Sequence, residues 1–257
     1  MRWDPDRYAM FGDHRDRPFF DLTGRIAAAA PGRVVDLGCG PGNLTATLAN
    51  RWPRAEVLGI DASPNMIERA QAAHDTANVS FQRADVRDWD ATGVDVVVSN
   101  ALLQWVPGHQ ELLSKWLAQL APGGWLAFQV PGNFDSPSHA LMRELASSPR
   151  WRPQLGSVLR HNDAVAGPAE YLQLMLDAGC RADAWETTYL QLLDGENPVL
   201  DWVRGTGLRP VLDILGAQDA SDFEAEYGAA LQEAYPAGEH GTVFPFRRTF
   251  CVGQKKP

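Results

Sequence analysis

The chain has 257 residues, of which 45% are hydrophobic, and this content predicts one α/β domain with a sizeable core. Its formal net charge of −9 argues against nucleic acid as a partner, because contacts with phosphate need a basic surface. Three widely spaced cysteines predict no metal site and indicate a reducing, cytoplasmic environment. The polar N-terminus and the lack of a long apolar run lead us to expect no membrane partner.

Residues 1–30 contain no predicted strand. Their Trp, Tyr and Phe side chains are mixed with Arg and Asp, and this composition predicts a helical lid over a ligand. Closing such a lid would exclude water and complete a pocket.

The first predicted strand, Val34–Leu37, leads into a glycine-rich loop and then a predicted helix, Leu44–Arg51. Three alternate positions of this loop are glycines: Gly38, Gly40 and Gly42. Glycine lets the backbone pass close to a ligand, because no Cβ blocks the approach, and ligands of open parallel sheets bind at the carboxyl end of the first strand. The loop is therefore the predicted ligand site.

The spacing of the loop distinguishes between ligands. In the dinucleotide fingerprint the third glycine comes one residue later, at the position that Asn43 occupies here. Asp36, just before the loop, would repel a phosphate but attract an ammonium group. The motif therefore favours a cationic nucleoside without phosphate, and it resembles the first motif of the class I S-adenosylmethionine (SAM) methyltransferases.

Further predicted strands follow at Glu56–Ile60, Val79–Gln82, Val94–Ser99 and Trp125–Val130. A polar residue stands at the end of each of the first three. Asp61 can accept hydrogen bonds from both hydroxyls of a ribose. The resemblance to methyltransferases places Asp85 near the adenine amino group and Asn100 near the methionine end of SAM.

Helices alternate with these strands. The helix Asn65–His74 has Ser63 as a predicted cap and Pro64 at its first position, and a helix at His109–Leu120 has an apolar face. The region Asp85–Asp90 is a turn-rich candidate for a further helix. Apolar strands that alternate with helices predict an α/β fold with a doubly wound, mostly parallel sheet of the Rossmann-like type.

The second half of the chain is less regular. Predicted helices lie at Ser138–Ser147, Ala169–Ala178, near Val199–Val203 and at Phe223–Ala234, and predicted strands lie at Trp185–Leu193 and Arg247–Val252. We expect the two strands to extend the sheet and the helices to cap its carboxyl edge. The chain is thus predicted to be a single domain, 1–257, with a lid at 1–30, a cofactor-binding core at 31–132 and a substrate cap with closing strands at 133–257.

Segments spread over nearly the whole chain carry a more specific resemblance. They are Trp3–Pro5, Arg15–Leu22, Leu103–Pro107, Gln129–Asn133, Pro137–His139, Trp185–Tyr189, Thr206–Pro210, Tyr235–Pro236 and Pro245–Arg248. As a set they resemble the trans-aconitate 2-methyltransferase family. The resemblance implies SAM as the cofactor and transfer of its methyl group to a carboxylate of trans-aconitate, which gives a monomethyl ester.

The candidate cofactor-binding residues lie in the glycine loop and at the following strand ends. They are Asp36, Gly38, Gly40, Gly42, Asp61, Ala62, Asp85, Val86, Asn100, Leu102 and Gln104. Cys39, inside the loop, is expected to be a small buried filler.

A carboxylate acceptor has a pKa near ~4 and is already ionised at neutral pH. The enzyme then needs to align and desolvate the reactants, so we expect no catalytic general base. His14, His109 and His139 are accordingly predicted to be surface or loop residues that form hydrogen bonds.

A small anionic acid needs positive partners, and the planar fork of arginine suits carboxylates best. The candidate substrate-binding arginines are Arg15, Arg17, Arg209, Arg247 and Arg248, and Tyr8, Trp105 and Tyr189 are candidates to line the pocket. Because Arg247 and Arg248 are adjacent in a predicted strand, their side chains point to opposite faces and at most one reaches the substrate.

Three alternatives stay open at this point. A class I methyltransferase that acts on another acid, a hydroxyl or an amine would keep the fold, but a hydroxyl or amine acceptor would need a general base. A SAM-binding regulator would lack catalysis. A nicotinamide dehydrogenase would share the carboxylate that binds the ribose, but it would require the phosphate-binding glycine pattern, which is missing here.

Overall fold

The computed structural model of the protein describes residues 12–74, 76–156, 158–159 and 164–256, with side chains from residue 16 onward. The strands are β1 Arg33–Leu37, β2 Glu56–Asp61, β3 Val79–Arg83, β4 Val96–Asn100, β5 Trp125–Pro131, β6 Cys180–Leu193, β7 Ala237–Gly238 and β8 Gly241–Lys255. The helices are α1 Gly12–Thr23, α2 Asn43–Arg51, α3 Pro64–Ala73, α4 His109–Gln119, α5 Pro137–Ala146, α6 Arg152–Leu155, α7 Pro168–Asp177, α8 Pro198–Arg204, α9 Arg209–Leu212 and α10 Ala217–Ala234. A short 3₁₀ helix spans Leu103–Trp105.

The strands form one sheet in the order β3-β2-β1-β4-β5-β8-β6, with the short β7 paired to β8. The strands β1 to β5 run parallel, and β8 is antiparallel to β5. The strand order reverses between β1 and β4, and in open α/β sheets ligands bind outside the carboxyl ends of the strands at such a switch point. The predicted doubly wound, mostly parallel sheet is confirmed, and the glycine loop follows β1 at this point.

Several predicted elements were wrong in type or extent. The region Asp85–Asp90 is a turn rather than a helix, because the carboxylates of Asp85 and Asp90 accept hydrogen bonds from backbone amides two residues later, at Arg87 and Thr92. The strands β6 and β8 begin at Cys180 and Gly241, several residues before the predicted starts.

The chain forms two compact units. The first, called here the sheet unit, comprises Arg15–Pro131, Val165–Thr187 and Arg248–Pro257. The second, called here the helical unit, comprises among the described residues 12–14, 132–156, 158–159, 164 and 188–247. The lid at 1–30 and the cap at 133–257 stay predictions.

Each unit has its own apolar core. In the sheet unit the predicted apolar face of α4, with Leu113, Trp116 and Leu117, packs with strand residues such as Leu126 and Phe128. The core of the helical unit contains Trp151, Trp202, Phe223, Tyr227 and Phe244. Among the described residues, no helix has the length and apolar content that a membrane crossing requires.

Candidate active site

The glycine loop after β1 holds three left-handed residues, Gly38, Gly40 and Gly42, with φ of 78°, 55° and 85°. A Cβ at Gly38 would lie 2.8 Å from Leu102, and a Cβ at Gly42 would lie 2.6 Å from the ring of Phe81. A Cβ at Gly40 would meet no atom within 4 Å. Two of the glycines are therefore required by packing, whereas Gly40 borders open space that a ligand can fill.

Asp61, at the end of β2, binds the same loop. Its Oδ2 accepts a hydrogen bond of 3.1 Å from the backbone N–H of Gly40, and its Oδ1 accepts one of 2.8 Å from the N–H of Ser63. Burial raises the pKa of this carboxyl, and the two backbone hydrogen bonds oppose the rise. A carboxylate oxygen has two lone pairs, so each oxygen retains one that can accept a ribose hydroxyl.

Asp36, in β1, is the second acidic residue beside the loop and is only 3% exposed. Its Oδ2 accepts a hydrogen bond of 2.6 Å from Thr45 Oγ1 at the start of α2. Burial raises the pKa of Asp36 to about 6, the Thr45 hydrogen bond lowers it, and the charge of Asp61 raises it further. A buried carboxyl and a half-buried one near the same loop favour a cationic ligand, because its charge would offset their repulsion.

Asp85, after β3, already has a cationic neighbour. Arg87 binds its carboxylate through Nη2 at 2.5 Å and Nε at 3.0 Å, and these hydrogen bonds lower the pKa of Asp85 to about 2. The adjacent Val86 is buried in the core of the sheet unit, and Ala62, after β2, is exposed. Contact of Asp85 with an adenine therefore stays a prediction, and such contact would be shared with Arg87.

The segment after β4 is strained. Ala101 has a φ of 56°, which is unfavourable for a residue with a side chain, and strain of this kind is concentrated at functional sites. The N–H of Ala101 donates to Gln129 O at 2.9 Å, and its carbonyl accepts from Gln104 Nε2 at 2.6 Å. Asn100 Oδ1 is buried and has no hydrogen-bond partner among the described residues. An amide oxygen of this kind can accept a hydrogen bond from a ligand.

The two adjacent arginines of β8 have different surroundings. Arg248 is only 7% exposed, and its Nη1 donates to Gln129 Oε1 at 3.2 Å. The Nε of Arg247 donates to Gly132 O at 2.6 Å, and its Nη2 lies 2.6 Å from the carboxylate of Asp135. The predicted divergence of the two side chains is found, and Arg248 is the one that is buried.

The other candidate substrate residues are dispersed. Arg17 is 70% exposed in its side chain and lies 3.7 Å from Asp21, and Trp105 is half-buried in the 3₁₀ helix. Tyr189 is buried and Arg209 is half-buried, both in the helical unit. Tyr8 and the side chain of Arg15 lie outside the described residues.

The prediction for His109 was partly wrong. This residue forms hydrogen bonds, with Tyr171 Oη at 2.7 Å and Val106 O at 3.2 Å, but it is 5% exposed and lies in the core rather than on the surface. Burial lowers its pKa, so the ring is held neutral. His139 is half-buried in α5 with Ser138 Oγ 3.2 Å away, and the side chain of His14 is not among those described. Cys39 is buried as predicted, with Ile67, Ala70 and Phe81 around it.

Sequence reasoning missed Thr45 and Gln129. Thr45 fixes the carboxylate of Asp36, and Gln129 binds Arg248. Gln129 lies in one of the segments that carry the family resemblance, but no role was assigned to it or to Thr45. Only the contact of Thr45 with Asp36 and the register of β5 with β8 reveal these roles.

The arrangement fits SAM. Asp61 offers two acceptor positions for a ribose diol, Gly40 leaves room for close approach, and the acidic pair and Asn100 Oδ1 suit a ligand with a sulfonium and an ammonium group. All of these groups lie in the sheet unit, at the carboxyl ends of β1, β2 and β4.

Comparisons with known proteins agree with this site. A protein-family profile described as a methyltransferase domain matches residues 34–124. Among solved structures, the YcgJ protein of Bacillus subtilis matches with a TM-score of 0.58 at 13% identity, covering 96% of this chain and 99% of that chain. A phosphoethanolamine N-methyltransferase of Haemonchus contortus, solved with S-adenosylhomocysteine, matches with a TM-score of 0.55 at 16% identity, covering 94% of this chain and 53% of that chain. These two structures support the fold alone.

Curated sequences are far more similar. The trans-aconitate 2-methyltransferase of Streptomyces avermitilis is 59% identical over 99% of this chain and 97% of its own length. The enzyme of the same name from Rhodococcus jostii is 54% identical over 98% and 99%, and that from Mycobacterium tuberculosis is 46% identical over 98% and 96%. This chain therefore belongs to the trans-aconitate 2-methyltransferase family of SAM-dependent methyltransferases.

Proposed function

We propose that this protein transfers the methyl group of SAM to a carboxylate of trans-aconitate and releases the monomethyl ester. The proposal is carried by the similarity to relatives that bear this enzyme name. This similarity covers nearly the full chain, so it includes the segments with the candidate substrate residues as well as the common cofactor motif. A match restricted to residues 34–124 would support the cofactor but not the acceptor.

Residues at the carboxyl edge of the sheet are proposed to hold the cofactor. Asp61 binds the ribose hydroxyls, Asn100 Oδ1 accepts from the α-ammonium group, and Asp36 compensates the positive charge. SAM, when bound, supplies an electrophilic methyl group on a sulfonium. The glycine loop lets the backbone approach the ligand, and the strained Ala101 fixes the direction of the Asn100 segment.

The acceptor requires charge compensation rather than deprotonation. A carboxylate with a pKa near ~4 is ionised at neutral pH, so no residue needs to remove a proton from it. The protein then has to bind the acid, align one carboxylate oxygen with the methyl group and exclude water. Arg248 is the proposed charge partner, because it is buried at the carboxyl end of β5.

The proposal is tested by a mass-spectrometric methyl-transfer assay with SAM and a panel of acids: trans-aconitate, cis-aconitate, isocitrate and citrate. We expect a single monomethyl ester, formed fastest from trans-aconitate. At saturating SAM, the rate is expected to stay flat from about pH 7 to pH 9, because the acceptor is fully ionised in that range.

Two results would contradict parts of this proposal. If none of the acids is methylated while SAM still binds, the proposed acceptor class is wrong. A rate that rises about tenfold per pH unit would instead indicate an acceptor that must lose a proton, such as a hydroxyl or an amine.

A further inference from the structure

A row of polar side chains crosses the carboxyl edge of the sheet from β4 to β8. Asn100 of β4 is paired with Gln129 of β5, and Gln129 is in turn paired with Phe250 of β8. Paired residues of neighbouring strands lie on the same face of a sheet, and so do alternate residues of one strand. Arg248, two residues before Phe250, therefore shares the face of Asn100 and Gln129.

The orientation of the Gln129 amide is fixed by its neighbour. A guanidinium group has only donors, so the Oε1 of Gln129 must face the Nη1 of Arg248, at 3.2 Å. The amide NH₂ must then point the other way. This Nε2 is buried, in a side chain with no solvent exposure, and it has no hydrogen-bond partner among the described residues.

A buried NH₂ group without a partner is costly, and in native proteins such a group usually binds an ordered water or has a functional role. Its chemistry selects that partner: it is a donor beside a cation, and this combination matches a carboxylate. The neighbouring Asn100 has the opposite chemistry, because its buried Oδ1 is an acceptor without a partner among the described residues. The register places Gln129 directly beside Asn100 on the next strand, and neighbouring strands lie about 4.8 Å apart.

Aromatic packing holds Phe250, the residue of β8 that pairs with Gln129. Phe250 is buried and stacks on Trp185 of β6 with ring centroids 4.8 Å apart and planes 4° from parallel. Arg25 lies over the ring of Trp185 at 5.3 Å. Packing of this kind restricts Phe250, which pairs with Gln129 and lies two residues from Arg248 on the same strand.

We propose that Gln129 binds the substrate: its NH₂ donates a hydrogen bond to the acceptor acid, while Arg248 supplies the positive charge. This inference rests on the proposed function and extends it, because it assigns the recognition of the acid to a neutral amide that the arginine orients. Together, Gln129 and Arg248 distinguish an anionic acid from an uncharged ester or amide of the same shape.

The experiment uses two variants and a matched control. Gln129→Met removes the donor without adding charge, and Gln129→Glu keeps the shape and the acceptor toward Arg248 but replaces the donor with a second acceptor. Gln254→Met is the control: Gln254 lies on β8, the strand of Arg248, but it is paired with Trp125, the first residue of β5, at the opposite end of the strands from Gln129. The readouts are kcat and KM for the acid, the Kd of SAM and the thermal unfolding midpoint.

We expect kcat/KM for trans-aconitate to fall by about 10- to 100-fold in Gln129→Met, the usual effect of losing one hydrogen bond to a charged group. Most of this change is expected in KM. The kcat/KM of Gln129→Glu is expected to fall at least as far, because the charge of the new carboxylate neutralises Arg248 and repels the acid. The Kd of SAM stays within threefold, as a rough criterion, and Gln254→Met matches the wild type.

An activity of Gln129→Met close to that of the wild type would overturn the inference. So would an equal loss of SAM affinity and acid affinity, or the unfolding of both Gln129 variants, since either result would assign Gln129 to the cofactor site or to the core. The proposed substrate is tested separately, by the wild-type protein on the acid panel. If another acid is methylated, the variant ratio is measured with that acid, and if no acid is methylated both proposals fail.

Discussion

The helical unit and the glycine loop of the sheet unit use charged side chains in opposite ways. In the helical unit, acids and bases are matched near the surface: Arg150 contacts Asp222 and Glu226, each at 2.5 Å. In the sheet unit, Asp36 and Asp61 are two acids near one loop, and burial raises the pKa of both.

This difference separates structural from functional charge. Exposed ion pairs of the first kind contribute about 0 to 1 kcal/mol each, so they can be exchanged at little cost. Buried like charges are unfavourable in the free protein, and a cationic ligand relieves the repulsion. Substitutions can test this contrast between paired surface charges and the acidic pair at the loop.

The strongest test compares the two adjacent arginines of β8. Arg248→Met removes the buried cation, and we expect kcat/KM for the acid to fall by about 100- to 1,000-fold, the usual effect of deleting one partner of a buried charge pair. Arg247→Met removes a partly exposed ion pair with Asp135, and we expect less than about 1 kcal/mol of lost stability and nearly unchanged kinetics. Steady-state kinetics and urea unfolding of both variants give these values.

Arg248→Lys is the second variant for this test. It keeps the charge but not the fork geometry, so we expect an intermediate loss of activity. Equal kinetic losses at the two positions would contradict the assignment of Arg248 to the acceptor, and would indicate that the end of β8 has a structural role.

The second test concerns the open space at Gly40. Gly40→Ala places a Cβ where no protein atom lies within 4 Å, and we expect the affinity for SAM to fall about 100-fold, because the methyl group occupies ligand space. Gly93→Ala is the matched control: Gly93 also has a positive φ, of 73°, and open space around it, but it lies in the turn before β4. Both variants should lose about 1 to 2 kcal/mol of stability from backbone strain alone.

Calorimetric titration with SAM and thermal unfolding separate the two effects. If Gly93→Ala loses as much SAM affinity as Gly40→Ala, the effect comes from global strain. If Gly40→Ala binds SAM normally, the loop does not contact the cofactor at that residue.

Local pattern was sufficient to predict the first half of the fold. The strands β1, β2, β3 and β5 and the helices α2 to α4 begin and end within one residue or so of the predicted bounds, because apolar runs, glycines and proline determine them locally. The candidate positions at strand ends follow from the same pattern, since all parallel strands of a sheet end at one edge. Asp61 and Asn100 could be found in this way.

Contacts distant in sequence could not be predicted. The sequence says that Arg247 and Arg248 diverge, but only the pairing of β8 with β5 places Arg248 beside Gln129, 119 residues earlier. In the same way, His109 was expected to form hydrogen bonds at the surface or in a loop, whereas Tyr171 of α7 binds it in the core. Register and helix packing depend on the whole chain, and no short motif contains them.

The last test concerns the pH dependence that Asp36 gives to stability and to SAM binding. Burial raises the pKa of this carboxyl from 3.8 to about 6 in the folded protein, so the folded state binds the proton more tightly than the unfolded state. Its contribution to stability is therefore fully present below pH 3.8 and is lost as the pH rises through about 6. At about 1.4 kcal/mol per pKa unit, the loss is roughly 3 kcal/mol by pH 8.

Asp36→Asn removes this titration and keeps an oxygen that accepts from Thr45. By urea unfolding, we expect the free variant to be more stable than the wild type by roughly 2 to 3 kcal/mol at pH 8, with a smaller difference at pH 5. A cationic ligand favours the ionised carboxyl, so the Kd of wild-type protein for SAM should rise by up to about tenfold per unit below pH 6. In Asp36→Asn most of this rise should vanish, and what remains belongs to Asp61, whose pKa is also raised. A variant less stable than the wild type at pH 8, with an unchanged pH dependence of SAM binding, would mean that Asp36 is satisfied in the free protein and that the acidic pair does not respond to the ligand.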